Sequence, residues 1–200
     1  MSRPDYKKIT QALNYVAQKE GGEINCMKAL KLLYLADRLH LRKYGRLISD
    51  DRLVAMKNGT LGSQARDIVK KNERLPHVVY KYSENRLRRD LDKKYTIGVN
   101  DKNMDSLAET DIECLDTVYG IFGNREQFVL AKLTHELPEW KRFQYAIEKK
   151  EVRVKRLEIL DLFEPTENVE LNKIYSQPKD ELELSHAMFK EYLEQEKYLV

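Results

Sequence analysis

Residues 31–46 read KLLYLADRLHLRKYGR, and this stretch lies at the centre of the segment that decides the fold. Asn25 is a residue type that caps helix starts, and Gly45 is the type that ends helices. Apolar residues cover nearly every face between them: Met27, Ala29, Leu30, Leu32, Leu33, Tyr34, Leu35, Ala36, Leu39 and Leu41. A helix that is apolar nearly all round belongs in the middle of a core. The sequence therefore predicts a central buried helix over about residues 25–45.

Helical patterns continue on both sides of this helix. Apolar residues recur at helical spacing in segments 9–17, 63–71, 106–119, 125–133 and 181–199. The region 77–100 carries β-branched and aromatic residues, which predict strands at Val78–Tyr80 and at 95–99. Residues 53–59 are either a brief strand or a loop packed on the central helix, and Ser63 is the expected cap of the helix that follows. The predicted fold is mainly α (α+β), a compact helical domain with a small β element.

Composition excludes several classes of protein. The chain has 200 residues, of which 42% are hydrophobic and 34% are charged. No segment approaches the roughly 20 apolar residues that a membrane-spanning helix needs, and the first residues lack the pattern of a secretory signal. Cys26 and Cys114 have no partner motif, so both thiols are expected to be reduced. We expect a cytoplasmic protein with no membrane partner.

The net charge of +3 conceals an uneven distribution along the chain. Residues 158–200 hold eleven acidic and four basic residues, a net charge of −7, so residues 1–157 carry +10. A near-neutral total argues weakly against a dedicated nucleic-acid binder, which usually has a larger basic surplus. Charge asymmetry between segments is typical of interaction tails.

Known catalytic and metal-binding motifs are missing from the sequence. Residues 59–62 form a Gly-Thr-Leu-Gly turn that is too short for a phosphate loop and lacks its lysine. The four histidines, His40, His77, His135 and His186, have no metal-ligand spacing. We therefore expect no enzyme, no cofactor and no metal ion.

Asp37 is the most informative single residue, because it lies inside the predicted central helix. A buried carboxylate is costly unless it is paired or hydrogen-bonded. One interpretation makes Asp37 an acid or base that works with His40 or His135. The other, which we favour, places it in a structural hydrogen-bond network. His135 and Trp140 have the same two interpretations, as core residues or as contacts for a partner.

Four blocks of residues resemble the SocA-like Panacea domain, a family of antitoxins. The first is the central-helix stretch at 31–46, and the others read VAMKNG at 54–59, LAETDIECLD at 107–116 and LTHELPEW at 133–140. The resemblance covers about residues 5–145. The sequence departs from the family pattern at 59–63, where Gly-Thr-Leu-Gly-Ser replaces a Gly-Pro turn.

The resemblance implies a compact, mostly helical fold and a function. Proteins of this family typically neutralise the unrelated toxins of bacterial and phage toxin–antitoxin pairs by direct contact, and one member delivers its toxin to a protease. The implied partners are a cognate toxin and, in the adaptor case, a protease or chaperone. The limit of the resemblance divides the chain into a helical domain at 1–145 and a C-terminal extension at 146–200 with an acidic amphipathic helix.

Ten residues are candidates for contact with the partner: Asp37, His40, Tyr44, Met56, Lys57, His135, Trp140, Leu182, Phe189 and Leu193. The last three lie on one stripe of the acidic helix. In one alternative this helix lies in a groove of the toxin with these residues as anchors. In the other it packs back on the basic body of the chain. The sequence does not choose between the two.

The competing hypothesis is a nucleic-acid-binding regulator of its own operon or a phage-encoded accessory protein. Eight basic residues would contact phosphates in that case: Arg86, Arg88, Arg89, Lys149, Lys150, Arg153, Lys155 and Arg156. No convincing helix-turn-helix pair supports it, and the acidic tail would repel the nucleic acid. The sequence leaves the oligomeric state open.

Overall fold

The computed structural model describes residues 4–89 and 96–196. The helices in these ranges are α1 (Tyr6–Lys19), α2 (Cys26–Tyr44), α3 (Ser63–Lys70), α4 (His77–Arg86), α5 (Glu109–Phe122), α6 (Gln127–His135), α7 (Pro138–Lys141), α8 (Gln144–Glu148), a 3₁₀ helix (Ile159–Phe163), α9 (Val169–Tyr175) and α10 (Lys179–Glu196). The strands are β1 (Glu23–Asn25), β2 (Leu53–Met56), β3 (Gly59–Gly62), β4 (Leu87–Arg89), β5 (Thr96–Val99) and β6 (Val154–Arg156). The predicted mainly α class with a small β element is confirmed.

The predicted central helix is α2. The Asn25 side-chain oxygen accepts hydrogen bonds from the backbone N–H groups of Met27 (2.9 Å) and Lys28 (3.3 Å), which have no partner within the helix. Gly45 ends the helix with a φ of 66°, a conformation that suits glycine because it has no Cβ. Every residue from Lys28 to Arg42 is buried, and helices α1, α5, α6 and α10 pack around them.

Two small antiparallel sheets flank the helical core. The first has the order β1-β5-β4, with Ile24 opposite Ile97. The second has the order β3-β2-β6, with Ala55 opposite both Thr60 and Lys155. The β2–β3 hairpin packs on α2 and α6 through β3. Residues 53–59 are therefore a strand and a tight turn, the first of the two alternatives that the sequence left open.

The predicted strand at Val78–Tyr80 is wrong, because these residues lie in α4. Pro76 precedes the helix with a φ of −53° and a ψ of 140°, a residue type that suits a helix start. Val79 and Ser83 are one turn apart and buried, and α4 packs on α1. Packing of this helical face outweighs the β preference of the residues. The strand predicted at 95–99 is confirmed over the described residues by β5.

The sequence predicted Ser63 as the cap of α3, but the structure shows that a side chain outside the helix, Asp51, caps its start. The Asp51 carboxylate accepts hydrogen bonds from the backbone N–H groups of Gln64 (2.9 Å) and Ala65 (2.8 Å). Burial raises the pKa of Asp51 to about 6, although these hydrogen bonds oppose the rise. A Cβ on Gly62 would lie 2.4 Å from an Asp51 carboxylate oxygen, so glycine leaves room for this cap.

The segment predicted as a C-terminal extension, 146–200, contributes to the same core over its described part. β6 is the third strand of the β2–β3 sheet, and the 3₁₀ helix, α9 and α10 pack on α2. The Arg42 guanidinium in α2 donates hydrogen bonds to the carbonyl oxygens of Leu162, Phe163 and Tyr175. This segment is therefore held to the central helix by buried hydrogen bonds as well as by apolar contacts.

Candidate binding site

Asp37 is enclosed in the core and bonded to the loop that follows α2. Its carboxylate accepts hydrogen bonds from the Ser49 backbone N–H (2.9 Å) and the Ser49 hydroxyl (2.6 Å), and only 1% of the residue is exposed. Burial raises the pKa of Asp37 to about 7, while the bonds from Ser49 oppose this rise. Asp37 thus fixes the loop to the central helix, and a substrate or partner would not reach it.

His40 joins α2 to the start of α5. Its Nδ1–H donates to the Arg46 carbonyl oxygen (2.8 Å), and its Nε2 lies 3.1 Å from both the Thr110 hydroxyl and the Asp111 carboxylate. Burial opposes ionisation of Asp111, but hydrogen bonds from His40 and Lys8 hold the pKa of that carboxyl well below its usual range. His40 is fully buried, so it serves the packing of two helices.

Tyr44 lies at the end of α2 and is partly exposed. Its hydroxyl donates to the Glu113 carboxylate of α5 (2.5 Å), which also pairs with Lys43. The Tyr44 ring lies against His40, with ring centroids 4.8 Å apart. Of the three candidates on α2, Tyr44 alone has a side chain at the surface, and that side chain already has an intramolecular partner.

Sequence reasoning missed the buried ion pair between Arg38 and Glu139. The Arg38 Nε–H donates to a Glu139 carboxylate oxygen (3.0 Å), and the Tyr34 hydroxyl donates to the same oxygen (2.5 Å). Both members of the pair are fully buried, and the Arg38 guanidinium lies 4.3 Å from the Tyr175 ring centroid. The available signal was a pair of arginines, Arg38 and Arg42, one turn apart in a helix that is apolar on nearly every face.

Four of the predicted contact residues meet at the tip of the β2–β3 hairpin. The Trp140 indole N–H donates to the Met56 carbonyl oxygen (2.9 Å), and the His135 ring stacks on the Trp140 ring at a centroid distance of 3.9 Å. Burial and the nearby Lys31 ammonium group lower the pKa of His135, and the Lys57 backbone opposes this shift. Trp140 is buried and His135 half-buried, while Lys57 is exposed. The two aromatic residues support the hairpin, and Met56 and Lys57 form its accessible part.

A groove of about 920 Å³ opens beside this hairpin. Its walls come from the start of α2, the β2–β3 hairpin, α3 and residues 147–153. The apolar lining residues are Met27, Leu30, Met56, Leu61, Val69, Ile147 and Val152. A groove of this size with apolar walls is typical of a binding site.

The charged residues that line the groove are all basic: Lys31, Lys57, Arg66, Lys70, Lys150 and Arg153. Arg66 pairs with Asp67 (3.3 Å). In the part of the chain that the structure describes, Lys57, Lys70, Lys150 and Arg153 make no ion pair within 4.0 Å. The groove therefore presents a positive potential that the protein does not neutralise locally.

Lys31 differs from the other basic residues because it is fully enclosed beneath the hairpin. Its ammonium group donates to the Thr60 carbonyl oxygen (2.6 Å). Burial lowers the pKa of Lys31 to about 7. A Cβ on Gly59, whose φ is 86°, would lie 2.0 Å from the Thr134 hydroxyl oxygen and 3.1 Å from this ammonium group. Gly59 thus allows the hairpin to sit closely over Lys31.

The three candidates on the C-terminal helix face the body of the protein. Phe189 is buried with 2% exposure, and Leu182 and Leu193 are half-buried against the core. The outward side of α10 instead carries Leu184 and Met188, which are 64% and 50% exposed. Of the two alternatives for this helix, the structure places it against its own body. Partner contact through Phe189 would require α10 to separate from α2.

The described residues contain no group of three or more His, Cys, Asp or Glu side chains that would hold a metal ion. Within the same ranges, no helix has the length and apolar character needed to cross a bilayer. Asp37 and His40 are closed to solvent and have structural partners. Among the predicted site residues, Met56 and Lys57 at the hairpin line an accessible groove.

The sequence profile described as "Antitoxin SocA-like, Panacea domain" matches residues 30–141, more than half of the chain. The chain belongs to this family. No curated protein and no solved structure matches it. The resemblance seen in the sequence is thus confirmed for its central part.

The family match includes some walls of the groove and excludes others. It begins at Leu30 of α2 and contains the β2–β3 hairpin and α3, but it ends before Ile147. The wall at 147–153 therefore belongs to a region that the Panacea match does not cover. The groove therefore combines walls from inside the family match with a wall from outside it.

Proposed function

We propose that this protein is the antitoxin of a toxin–antitoxin pair and that it neutralises a cognate toxin in the cytoplasm by direct protein–protein binding. The observation that carries the proposal is the basic groove, which lies largely within the part of the chain shared with a family of antitoxins. Unpaired cations beside apolar walls favour binding of a partner over a role in the fold.

The candidate residues divide into two groups under this proposal. Met56 and Lys57 contact the toxin, since they lie at the accessible tip of the hairpin. His135 and Trp140 hold that tip in place through stacking and the indole hydrogen bond. Asp37, His40, Tyr44, Leu182, Phe189 and Leu193 maintain the fold through the contacts described above.

Co-expression tests this function directly. The protein encoded next to this gene is induced alone and together with the wild-type chain, and growth is measured. We expect growth arrest in the first case and recovery in the second, with both proteins co-eluting from a sizing column. Persistent arrest despite equal expression of the two proteins would contradict the proposal.

The same strains distinguish occlusion of the toxin from its delivery to a protease. Toxin abundance is followed by immunoblot after translation is stopped. A stable toxin that co-purifies with the antitoxin supports occlusion. A toxin that disappears only when the antitoxin and an intact protease are both present supports the adaptor mechanism.

The nucleic-acid hypothesis has weaker structural support. Arg88 pairs with Glu23 (2.6 Å) and Arg86 lies 3.9 Å from Asp101, so these cations are partly neutralised. They lie in or beside the sheet that contains β4, whereas Lys155 lies in the other sheet. The structure does not describe the side chain of Arg89. A band shift with operator DNA that weakens steeply with salt would favour this second function.

A further inference from the structure

We propose that the basic groove docks an acidic segment of the partner that also carries apolar side chains. This inference rests on the proposed function, because it names the surface and the chemistry by which the partner is bound. The segment would place its apolar side chains between α2 and α3 and its carboxylates against the basic rim.

The apolar half of this recognition comes from the floor and walls of the groove. Met27 and Met56 stand at two of its sides, together with Leu30, Leu61 and Val69. Methionine side chains are flexible and polarisable, so they adapt to apolar groups of different shapes. The volume of about 920 Å³ accommodates several side chains of a bound segment.

The charged half comes from cations on three separate segments. Lys57 belongs to the hairpin tip, Lys70 to α3, and Lys150 and Arg153 to the region after α8. Among the described residues, none that lines the groove is acidic. The buried ammonium group of Lys31 adds positive charge beneath the hairpin at neutral and lower pH. Complementary charge therefore selects an acidic occupant and disfavours a basic one.

The acidic C-terminal helix of the chain does not occupy the groove. Ser185 of α10 donates to the Arg42 carbonyl oxygen (2.7 Å), near the C-terminal end of α2. The groove is lined by Cys26, Met27 and Leu30 at the opposite end. The 19 residues of α2 span about 28 Å at 1.5 Å per residue. The acidic residues on the described part of α10 thus leave the groove open to an external segment.

The walls of the groove come from inside and from outside the family match. The hairpin and α3 lie within the Panacea match, whereas Ile147, Lys150, Val152 and Arg153 lie beyond its end at residue 141. The bound segment would therefore contact both parts, including the cations Lys150 and Arg153 beyond the match.

The first test measures binding of short fluorescein-labelled peptides to the purified full chain by fluorescence anisotropy. One peptide alternates glutamate and leucine, a second replaces every glutamate with lysine, and a third replaces every leucine with serine. We expect the first peptide to bind most tightly, because it alone satisfies both the cations and the apolar walls. A preference for the lysine peptide, or equal binding of the glutamate–leucine and glutamate–serine peptides, would overturn the proposal.

Two groove variants locate the site. The double variant Lys70→Glu/Lys150→Glu reverses two rim charges, and Met27→Glu places a carboxylate in the apolar wall. Met27 is in the first turn of α2, where an acidic residue suits the helix dipole, so this variant is expected to fold. Each should weaken binding of the glutamate–leucine peptide by about tenfold or more.

The matched control is Arg74→Glu/Lys173→Glu, which changes the net charge equally at two exposed residues that do not line the groove. It should bind the peptide within about twofold of wild type, since exposed distant charges are screened by salt. Equal weakening by the control and the groove variants would show a non-specific charge effect and reject the groove.

Alternative occupants have their own outcomes. A dimer on a sizing column that Met27→Glu dissociates would assign the groove to a second copy and overturn the proposal. Preferential binding of duplex DNA over the glutamate–leucine peptide, if Lys70→Glu/Lys150→Glu abolishes it, would also overturn the proposal.

Failure of the groove proposal can be distinguished from failure of the antitoxin function. Growth rescue that survives both groove variants rejects the groove alone, and peptide binding without any rescue rejects the antitoxin function alone.

Discussion

The two ends of α2 differ in how the basic residues around them are partnered. Toward the C-terminal end, Arg38 pairs with the Glu139 carboxylate and Arg42 donates to backbone carbonyl oxygens. Toward the N-terminal end, Lys28 pairs with the Glu20 carboxylate, but Lys31 donates to the Thr60 carbonyl oxygen without an ion pair in the described structure. Cations from other segments that have no ion pair in the same ranges line the groove beside it. A buried charge that has a partner inside the protein is costly to leave without it, whereas unpaired charges at an open groove are available to a partner.

The largest effect is expected at the paired end. Glu139→Ala leaves the Arg38 guanidinium buried without its carboxylate, a change that typically costs about 3–5 kcal/mol. Urea denaturation should show this loss in the free energy of unfolding. The control Glu136→Ala removes an exposed carboxylate paired with Lys141 and should cost at most about 1 kcal/mol. Similar losses of unfolding free energy in the two variants would show that the buried Arg38–Glu139 pair matters no more than the exposed Lys141–Glu136 pair.

The packing of α10 at the same end is tested by Phe189→Ala. Phe189 is buried against the core, with its ring centroid 6.1 Å from that of Phe163. Truncation of a buried phenylalanine costs about 3 kcal/mol or more. Met188→Ala, at a half-exposed neighbour, should change stability by less than about 0.5 kcal/mol. A Phe189→Ala protein with wild-type stability would mean that α10 does not pack on the body in solution.

A smaller effect is expected at the hairpin beside the groove. Gly59→Ala introduces a Cβ at a φ of 86° and 2.0 Å from the Thr134 hydroxyl oxygen, so the hairpin must shift. We expect a loss of about 1–3 kcal/mol in the free energy of unfolding, together with weaker peptide binding. Gly120→Ala is the matched control. It lies within α5 with no atom within 4 Å of the added Cβ, so it should stabilise the protein by about 0.5–1 kcal/mol.

The pH dependence of stability separates Lys31 from Asp37. The raised pKa of Asp37, about 7, stabilises the fold at acidic pH, and this contribution is lost as pH rises from 4 to 7. The lowered pKa of Lys31, also about 7, destabilises the fold at neutral pH, and this penalty is relieved progressively as pH rises from 7 toward 10.5. Each contribution has a slope of at most about 1.4 kcal/mol per pH unit.

Denaturant titrations of variants from pH 4 to pH 9 measure these slopes. Asp37→Asn should reduce the fall in unfolding free energy that occurs as pH rises from 4 to 7, although Asp51 contributes in the same direction. Lys31→Met should reduce the rise above pH 7, and the exposed-site control Lys57→Met should leave both slopes unchanged. If the rise is unaltered in the Lys31→Met protein, burial does not lower the pKa of Lys31 in the wild-type protein, and the prediction is wrong.

Local residue patterns were sufficient to predict the central helix. The apolar run, the Asn25 cap and the Gly45 terminus act over neighbouring positions, and the structure confirms all three. The strand at Val78–Tyr80 was mispredicted because these residues form a helix that packs on α1, which lies far away in sequence. The cap of α3 was assigned to the wrong residue because Asp51 reaches it from outside the helix.

The site was only partly predictable for the same reason. Met56 and Lys57 were identified from the family resemblance, and the structure places them at the groove. Lys70, Lys150 and Arg153 were not expected to share a surface, since about 80 residues separate Lys70 from Lys150. Charge composition revealed a basic body but not where its cations are left unpaired.

The sequence by itself determined the buried central helix, the mainly α class and membership of the SocA-like Panacea family, because these depend on residue type and spacing along the chain. The tertiary structure decided which charges are paired. Arg38 meets a carboxylate 101 positions away, whereas Lys31 meets only a carbonyl oxygen 29 positions away. Such pairings depend on the packing of distant segments, and the same packing assembles the groove.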